Sequence, residues 1–215
     1  ALFLCVNSTF AAETAILKIK GTLTASACTP EFSNGGVVDY GNIRLGELSS
    51  TAVNQLGQRN IDLTITCTAA TKVAWNMIDD RADSNAGLTV SAGTFTGGAQ
   101  SATNQTYGVG KAGTVNIGSY AMFMKVNSVT ADGKSVDPIY QQNGSTTWAK
   151  STDGSSQGEN NRNITVALAG SIDPLAFQTA TFPLVTSLAI QNTTTLAITD
   201  DTRLDGQLTI SLKYL

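Results

Sequence analysis

Cys28 and Cys67 are the residues whose chemistry is easiest to read, because so little else in the chain can react. There is no histidine, which removes Ser–His, Cys–His and His-ligand mechanisms together. The cysteines are Cys5, Cys28 and Cys67, too few for a four-cysteine zinc site. An enzyme would need paired carboxylates or a Ser–Lys pair. The adjacent carboxylates Asp79-Asp80 and Asp200-Asp201 do not supply one. Neighbours on a strand point to opposite faces, so these pairs read as solvated turn residues. Residues 108–113, GVGKAG, fit the spacing G-x-G-x-x-G. That motif binds a dinucleotide only between a strand and a helix, whose N-terminus meets the pyrophosphate. Here a polar loop precedes it and the β-rich run TVNIGSY follows. No catalytic, cofactor-binding or metal-ligating residue is expected, and the chain reads as a non-enzyme.

The elements that must position the cysteines are strands. Of the 215 residues, 41% are hydrophobic and only 13% charged, with a net charge of −3. Such a balance has no basic footprint for nucleic acid and is too apolar for disorder. The run ALFLCVNSTFA is apolar, uncharged and ends in small residues. It reads as the tail of a secretory signal peptide, residues 1–11, and leaves Cys28 and Cys67 as an even pair in an exported chain. Such a pair is expected to form a disulfide, closing a loop worth about 4 kcal/mol by chain entropy.

Alternation recurs along the chain. In residues 14–23, Ala15, Leu17, Ile19 and Leu23 share one face, and Lys18, Lys20 and Thr22 the other. Further strands are expected at 37–40, 61–67, 72–78, 117–126, 164–168, 180–190, 194–198 and 207–215. A hairpin is expected within 139–148 around Asn143-Gly144. Turn signals sit at Asn34-Gly35, Asp132-Gly133, Asp153-Gly154 and Asp205-Gly206. Residues 46–57 have room for a short helix, Pro183 suggests an edge or a bulge, and 96–115 and 151–162 read as long loops. Many short strands with recurring turns imply an all-β sandwich.

The C-terminal strand alternates to the last residue, with Leu208, Ile210, Leu212 and Tyr214 on one face. In an immunoglobulin-like sandwich a further strand would cover one side of such a strand; if this is the next-to-last strand, none is left in this sequence to supply the final one. An unfilled apolar groove is then expected. The N-terminal alternating segment could fill the groove of a neighbouring molecule by strand addition. A head-to-tail contact that does not close would make a fibre.

At this point the sequence resembles a family, the subunits of chaperone–usher pili (fimbriae) of Gram-negative bacteria. TAILKIKGTLTASAC at 14–28 resembles the family's donor strand, and VDYGNI at 38–43 its V-D-[LF]-G motif. LTITC at 63–67 resembles the strand of the second cysteine, and GQLTISLKYL at 206–215 the final strand, with Tyr214 penultimate. The resemblance implies an incomplete immunoglobulin-like β-sandwich lacking its final strand (25–215), preceded by a donor-strand extension (12–24). Donor positions would be Ala15, Leu17, Ile19, Gly21 and Leu23. The groove and chaperone-pairing strand would be Leu208, Ile210, Leu212 and Tyr214. Implied partners are a periplasmic chaperone, an outer-membrane usher and neighbouring pilus subunits, with no cofactor, no nucleic acid and no membrane span. The implied location is a surface fimbrium reached through the periplasm. A carbohydrate-binding tip adhesin, in which Trp75, Trp148 or Tyr140 could stack on sugar, is the alternative. A donor-like segment directly after the signal favours a polymerising subunit.

Overall fold

The computed structural model describes residues 15–215; the expected signal segment 1–11 and residues 12–14 of the extension lie outside the described residues. The strands are β1 (Cys28–Phe32), β2 (Asn54–Thr71), β3 (Val73–Asp79), β4 (Tyr107–Gly108), β5 (Lys111–Ala112), β6 (Val115–Asn116) and β7 (Gly118–Met124). There follow β8 (Thr130–Ala131), β9 (Lys134–Ser135), β10 (Asp137–Gln142), β11 (Ala149–Lys150), β12 (Arg162–Ala167), β13 (Phe177–Ile190) and β14 (Leu208–Tyr214). One sheet has the order β1-β2-β13-β7-β4, with the β8–β9 hairpin joined to β13. The facing sheet has the order β11-β10-β12-β3-β14. Every pairing within these sheets is antiparallel. The protein is an all-β sandwich.

Alternation explains the core. Ile61, Leu63, Ile65 and Cys67 of β2 point inward and are buried. So are Ala180, Phe182, Leu184, Leu188 and Ile190 of β13, the central strand of its sheet. The sheets meet where Trp75 packs edge-on against Phe182, with ring centroids 5.8 Å apart. Cys28 and Cys67 stand directly opposite on β1 and β2 and are joined by a disulfide. β7 is buried at every position, which hides its period. Its inward face meets the main core, while Ala121 on the other face packs with Val90 and Ala189 under the 85–100 segment.

Several expectations fail for local reasons. Residues 194–198 are not a strand. Asn192 accepts the Thr195 N–H at 2.8 Å and starts a one-turn helix, α1 (Thr193–Leu196), as an asparagine N-cap does. Within 46–57 there is only a 3-10 turn at Leu45–Glu47 before β2 begins. Residues 37–40 pair with no strand. Pro183 lies in a central strand, at the break between the β7 and β8 partners of β13. Its carbonyl accepts the Lys125 N–H at 2.8 Å, and its missing N–H falls at that same break, where a proline is tolerated. Residues 151–161 do form the expected long loop, and it is pinned to the sandwich. The Gly154 carbonyl accepts the Met124 N–H, Ser155 bridges to Phe123, and Ser151, Ser155 and Ser156 are buried. The hairpin around Asn143-Gly144 forms, pairing Ile139 with Lys150 and Tyr140 with Ala149.

Candidate functional site

A groove of about 1280 Å³ opens along one side of the sandwich. Its floor consists of inward side chains of β2, β7 and β13: Ile61, Tyr120, Met122, Leu188 and Ile190. One wall is the strand-free segment 36–45, which leaves β1 through two left-handed residues, Asn34 and Gly35 (φ 53° and 60°). The other wall is residues 200–208, ending on Leu208. The walls mix these apolar side chains with polar ones, Asp39, Asn42, Arg44 and Thr202 among them, and the floor carries Thr186, the one polar side chain among the inward positions of β13 from 180 to 190.

Tyr40 covers that polar spot. Its hydroxyl lies 3.1 Å from the Thr186 carbonyl and 2.9 Å from the Thr186 Oγ1. The Arg59 guanidinium stands 4.9 Å from its ring centroid. Burial raises the Tyr40 phenol above its ordinary value, against the smaller lowering effects of Thr186 and Arg59. Tyr40 is thus a side-chain tether that draws the wall segment toward the sheet. Its V-D-Y-G context was visible in the sequence, but its partner on β13, 146 residues away, was not.

β14 is the edge strand of its sheet. It pairs with β3 from Leu208↔Asp79 to Tyr214↔Val73, and among the described residues no strand pairs with its other edge. Leu208, Ile210 and Leu212 face inward and are half-buried, whereas Thr209, Ser211 and Lys213 are exposed. Leu208 lines the groove; Ile210 and Leu212 continue the same face toward the other end. Tyr214 departs from this set. It is 51% exposed, and its hydroxyl accepts the Cys28 N–H at 2.9 Å, so it fastens strand ends together.

The start of β14 is held by carboxylates. Asp80 accepts from Gln207 Nε2 at 3.0 Å and Thr209 Oγ1 at 2.7 Å. Arg81 binds Asp205 through two nitrogens at 2.9 and 3.3 Å. Asp79 is not the solvated turn residue its sequence context suggests. It is half-buried and accepts from the backbone N–H of Arg81 and Gly108. Burial raises its carboxyl above the usual carboxylate value, and those two N–H donors offset part of the rise.

The expected donor positions stand apart from all of this. Residues 15–24 form no helix or strand and are exposed: Leu17 by 88%, Ile19 by 92% and Leu23 by 104%. Ala15 is exposed as well. A side chain at Gly21 would meet nothing within 4 Å. The aromatic residues considered for sugar stacking are engaged in packing. Trp75 is 1% exposed against Phe182, and Tyr140 lies under the Arg162 guanidinium at 4.0 Å; Trp148 is half-buried. Among the described residues there is no cluster of metal-ligating side chains and no helix long and apolar enough to cross a membrane.

The comparisons with known proteins meet this fold along nearly its whole length. Residues 17–121 match a family described as "Protein of unknown function (DUF1120)". The chain is 34% identical to "Uncharacterized protein YhcF" of Escherichia coli (strain K12) over 221 residues, covering 95% of this chain and 92% of that protein. It belongs to this family. A second relative, "Protein GltF" of the same strain, is 32% identical over 222 residues, covering 93% of this chain and 87% of that protein. The family match begins inside the exposed extension and ends in β7, so it takes in the disulfide, the wall segment and part of the groove floor.

Proposed function

We propose that the protein is a structural subunit of a bacterial surface pilus or fimbria that acts in cell adhesion, with no catalytic activity and no cofactor. It would polymerise by donor-strand exchange after chaperone-assisted export through the periplasm. The observation that carries this reading is a complementarity within one chain. A groove with an apolar floor reaches the start of an edge strand whose other edge is unpaired among the described residues, and an alternating apolar segment, residues 15–24, is exposed and makes no strand pairing there.

In this mechanism a periplasmic chaperone lends a strand along β14, and at the outer-membrane usher residues 15–23 of the next subunit replace it. Leu17, Ile19 and Leu23 leave water on entering the groove, and each fully buried side chain of this size contributes about 1.5–3 kcal/mol. New ladder hydrogen bonds to β14 add about 1 kcal/mol each. Lys18 and Lys20 fall on the opposite face of the strand and stay in solvent. The alternation that would be a liability at a free edge is what a polymerising strand requires.

Deletion of residues 13–23 tests the reading. The shortened chain should keep its fold and its capture by a periplasmic chaperone but fail to assemble. Continued fibre formation, or loss of the fold itself, would contradict it.

A further inference from the structure

The floor of the groove carries one sulfur. The chain has three methionines. Met122 lines the groove, whereas Met77 and Met124 lie in the core away from it, 1% and 0% exposed. Met122 is itself only 4% exposed, but its side chain borders the open space. Its neighbours on the floor are Ile61, Tyr120, Leu188 and Ile190, and Thr186 stands directly opposite it on β13. A methionine fills such an irregular surface as an adaptable apolar side chain. Its thioether is also a group that a mild peroxide converts into a polar one.

The conversion is a single oxygen transfer. The sulfur lone pair attacks one oxygen of hydrogen peroxide, the O–O bond breaks, and the departing hydroxide takes the proton of the transferred oxygen and leaves as water. The sulfur gives up two electrons and becomes a sulfoxide, and the peroxide is reduced. A weak acceptor has then become a strong one. The hydroxyls around it belong to Thr186 across the strand pair, to Tyr120 two positions along β7, and to Tyr40 above Thr186. The Tyr40 and Thr186 oxygens are bonded to each other at 2.9 Å, so recruiting either disturbs the contact that holds the wall segment. The Tyr120 ring packs edge-on against Tyr107 with centroids 5.3 Å apart, and that packing sets where its hydroxyl points. A strand that covers the floor with apolar side chains brings no side-chain donor, and a polar group dehydrated without its partners costs free energy.

We propose that Met122 is a peroxide-sensitive modification site whose sulfoxide makes the groove reject an apolar strand. The oxidation follows from the place of the sulfur on the groove floor; the rejection rests on the donor-strand reading above. An occupied groove shields the sulfur and an empty one does not, so the oxidant acts on chains that have not yet taken up a strand. The lesion is reversible by a pair of methionine sulfoxide reductases, one for each sulfoxide epimer.

The test treats the full chain with hydrogen peroxide and follows each methionine by peptide mass spectrometry. Met122 should be oxidised at least about ten times faster than Met77 or Met124, and a peptide of residues 15–24 should slow it. The oxidised chain should bind that peptide at least about tenfold more weakly, and treatment with both reductases should restore binding. The Met122→Leu chain, a swap of similar volume that a core tolerates, should bind the peptide alike before and after peroxide, which separates Met122 from oxidation elsewhere. Equal oxidation rates at the three methionines would overturn the proposal. So would peptide affinity unchanged by the Met122 sulfoxide, and in both cases the donor-strand reading would stand. If the peptide binds neither form, the donor-strand reading falls and the rejection falls with it, and the oxidation rates alone decide the modification site.

Discussion

The phenolic oxygen of Tyr214 accepts the backbone N–H of Cys28 at 2.9 Å, joining the end of the last strand to the start of the first. This contact fixes where the extension leaves the body: at the Tyr214 end of β14, opposite the Leu208 end, where the groove opens. Removing the hydroxyl with Tyr214→Phe should lower stability by about 0.5–1.5 kcal/mol, the net value of one such bond. The ring stays, so the urea midpoint should move without a change in slope. No movement would mean that the bond does not hold the two strand ends together.

The same Cys28 is joined to Cys67 by the disulfide, which closes a loop of 39 residues. Chain-entropy arithmetic puts its contribution near 4 kcal/mol. The double variant Cys28→Ala/Cys67→Ala should lose about that much in chemical denaturation. A loss below about 1 kcal/mol would show that the 18 residues of β2 hold β1 in place without it.

Two aspartates should respond to pH in opposite senses. The Asp137 carboxyl is held below its ordinary value of 3.8, first by the Gly170 N–H and then by Lys150. Its contribution is present above that ordinary value and is lost as pH falls through the lower folded value. Asp79 has a raised folded pKa, so its contribution is greatest below its ordinary value and declines as pH rises toward the folded one. In urea titrations from about pH 2 to 6, Asp137→Asn should flatten the acid limb. The account of Asp137 fails if the acid limb keeps its slope in that variant.

The inward face of β14 should tolerate shape changes better than charge. Leu208→Asp or Ile210→Asp would place a carboxylate on the face that lines or adjoins the groove. Once a donor strand covers that face, the charge is buried without a partner, at a cost of several kcal/mol. Capture by a periplasmic chaperone should be lost, while Ser211→Ala on the exposed face should leave it intact. Normal capture of the aspartate variants would remove β14 from the pairing role.

The most legible strands were those with one wet face. The periods of β2 and β14 appear in the sequence as inward Ile61, Leu63 and Ile65 and as Leu208, Ile210 and Leu212. Where both faces are covered, the period vanishes, as in β7 and β12. The segment 194–198 has strand-like composition, but a single hydrogen bond from Thr195 to Asn192 turns it into a helical turn, and propensity does not reveal that. The parts of the site that escaped the sequence are its long-range tethers: Tyr40 to Thr186, Asp80 to Thr209 and Tyr214 to Cys28. Each joins residues more than a hundred positions apart. Tyr214 also shows the limit of parity: alternation assigns it inward, yet its long side chain reaches past the strand end to a backbone donor.

The central claim is that the groove accepts the extension, and the melting temperature of the protein lacking residues 13–23, with and without a synthetic peptide of residues 12–24, tests it most directly. A ligand at 100 times its dissociation constant stabilises the native state by about 2.7 kcal/mol. The account predicts a rise in melting temperature of several degrees with the unaltered peptide and with Lys18→Ala. It predicts none with Leu17→Asp or Ile19→Asp. A peptide that produced no shift, or shifts of equal size from all four sequences, would contradict it.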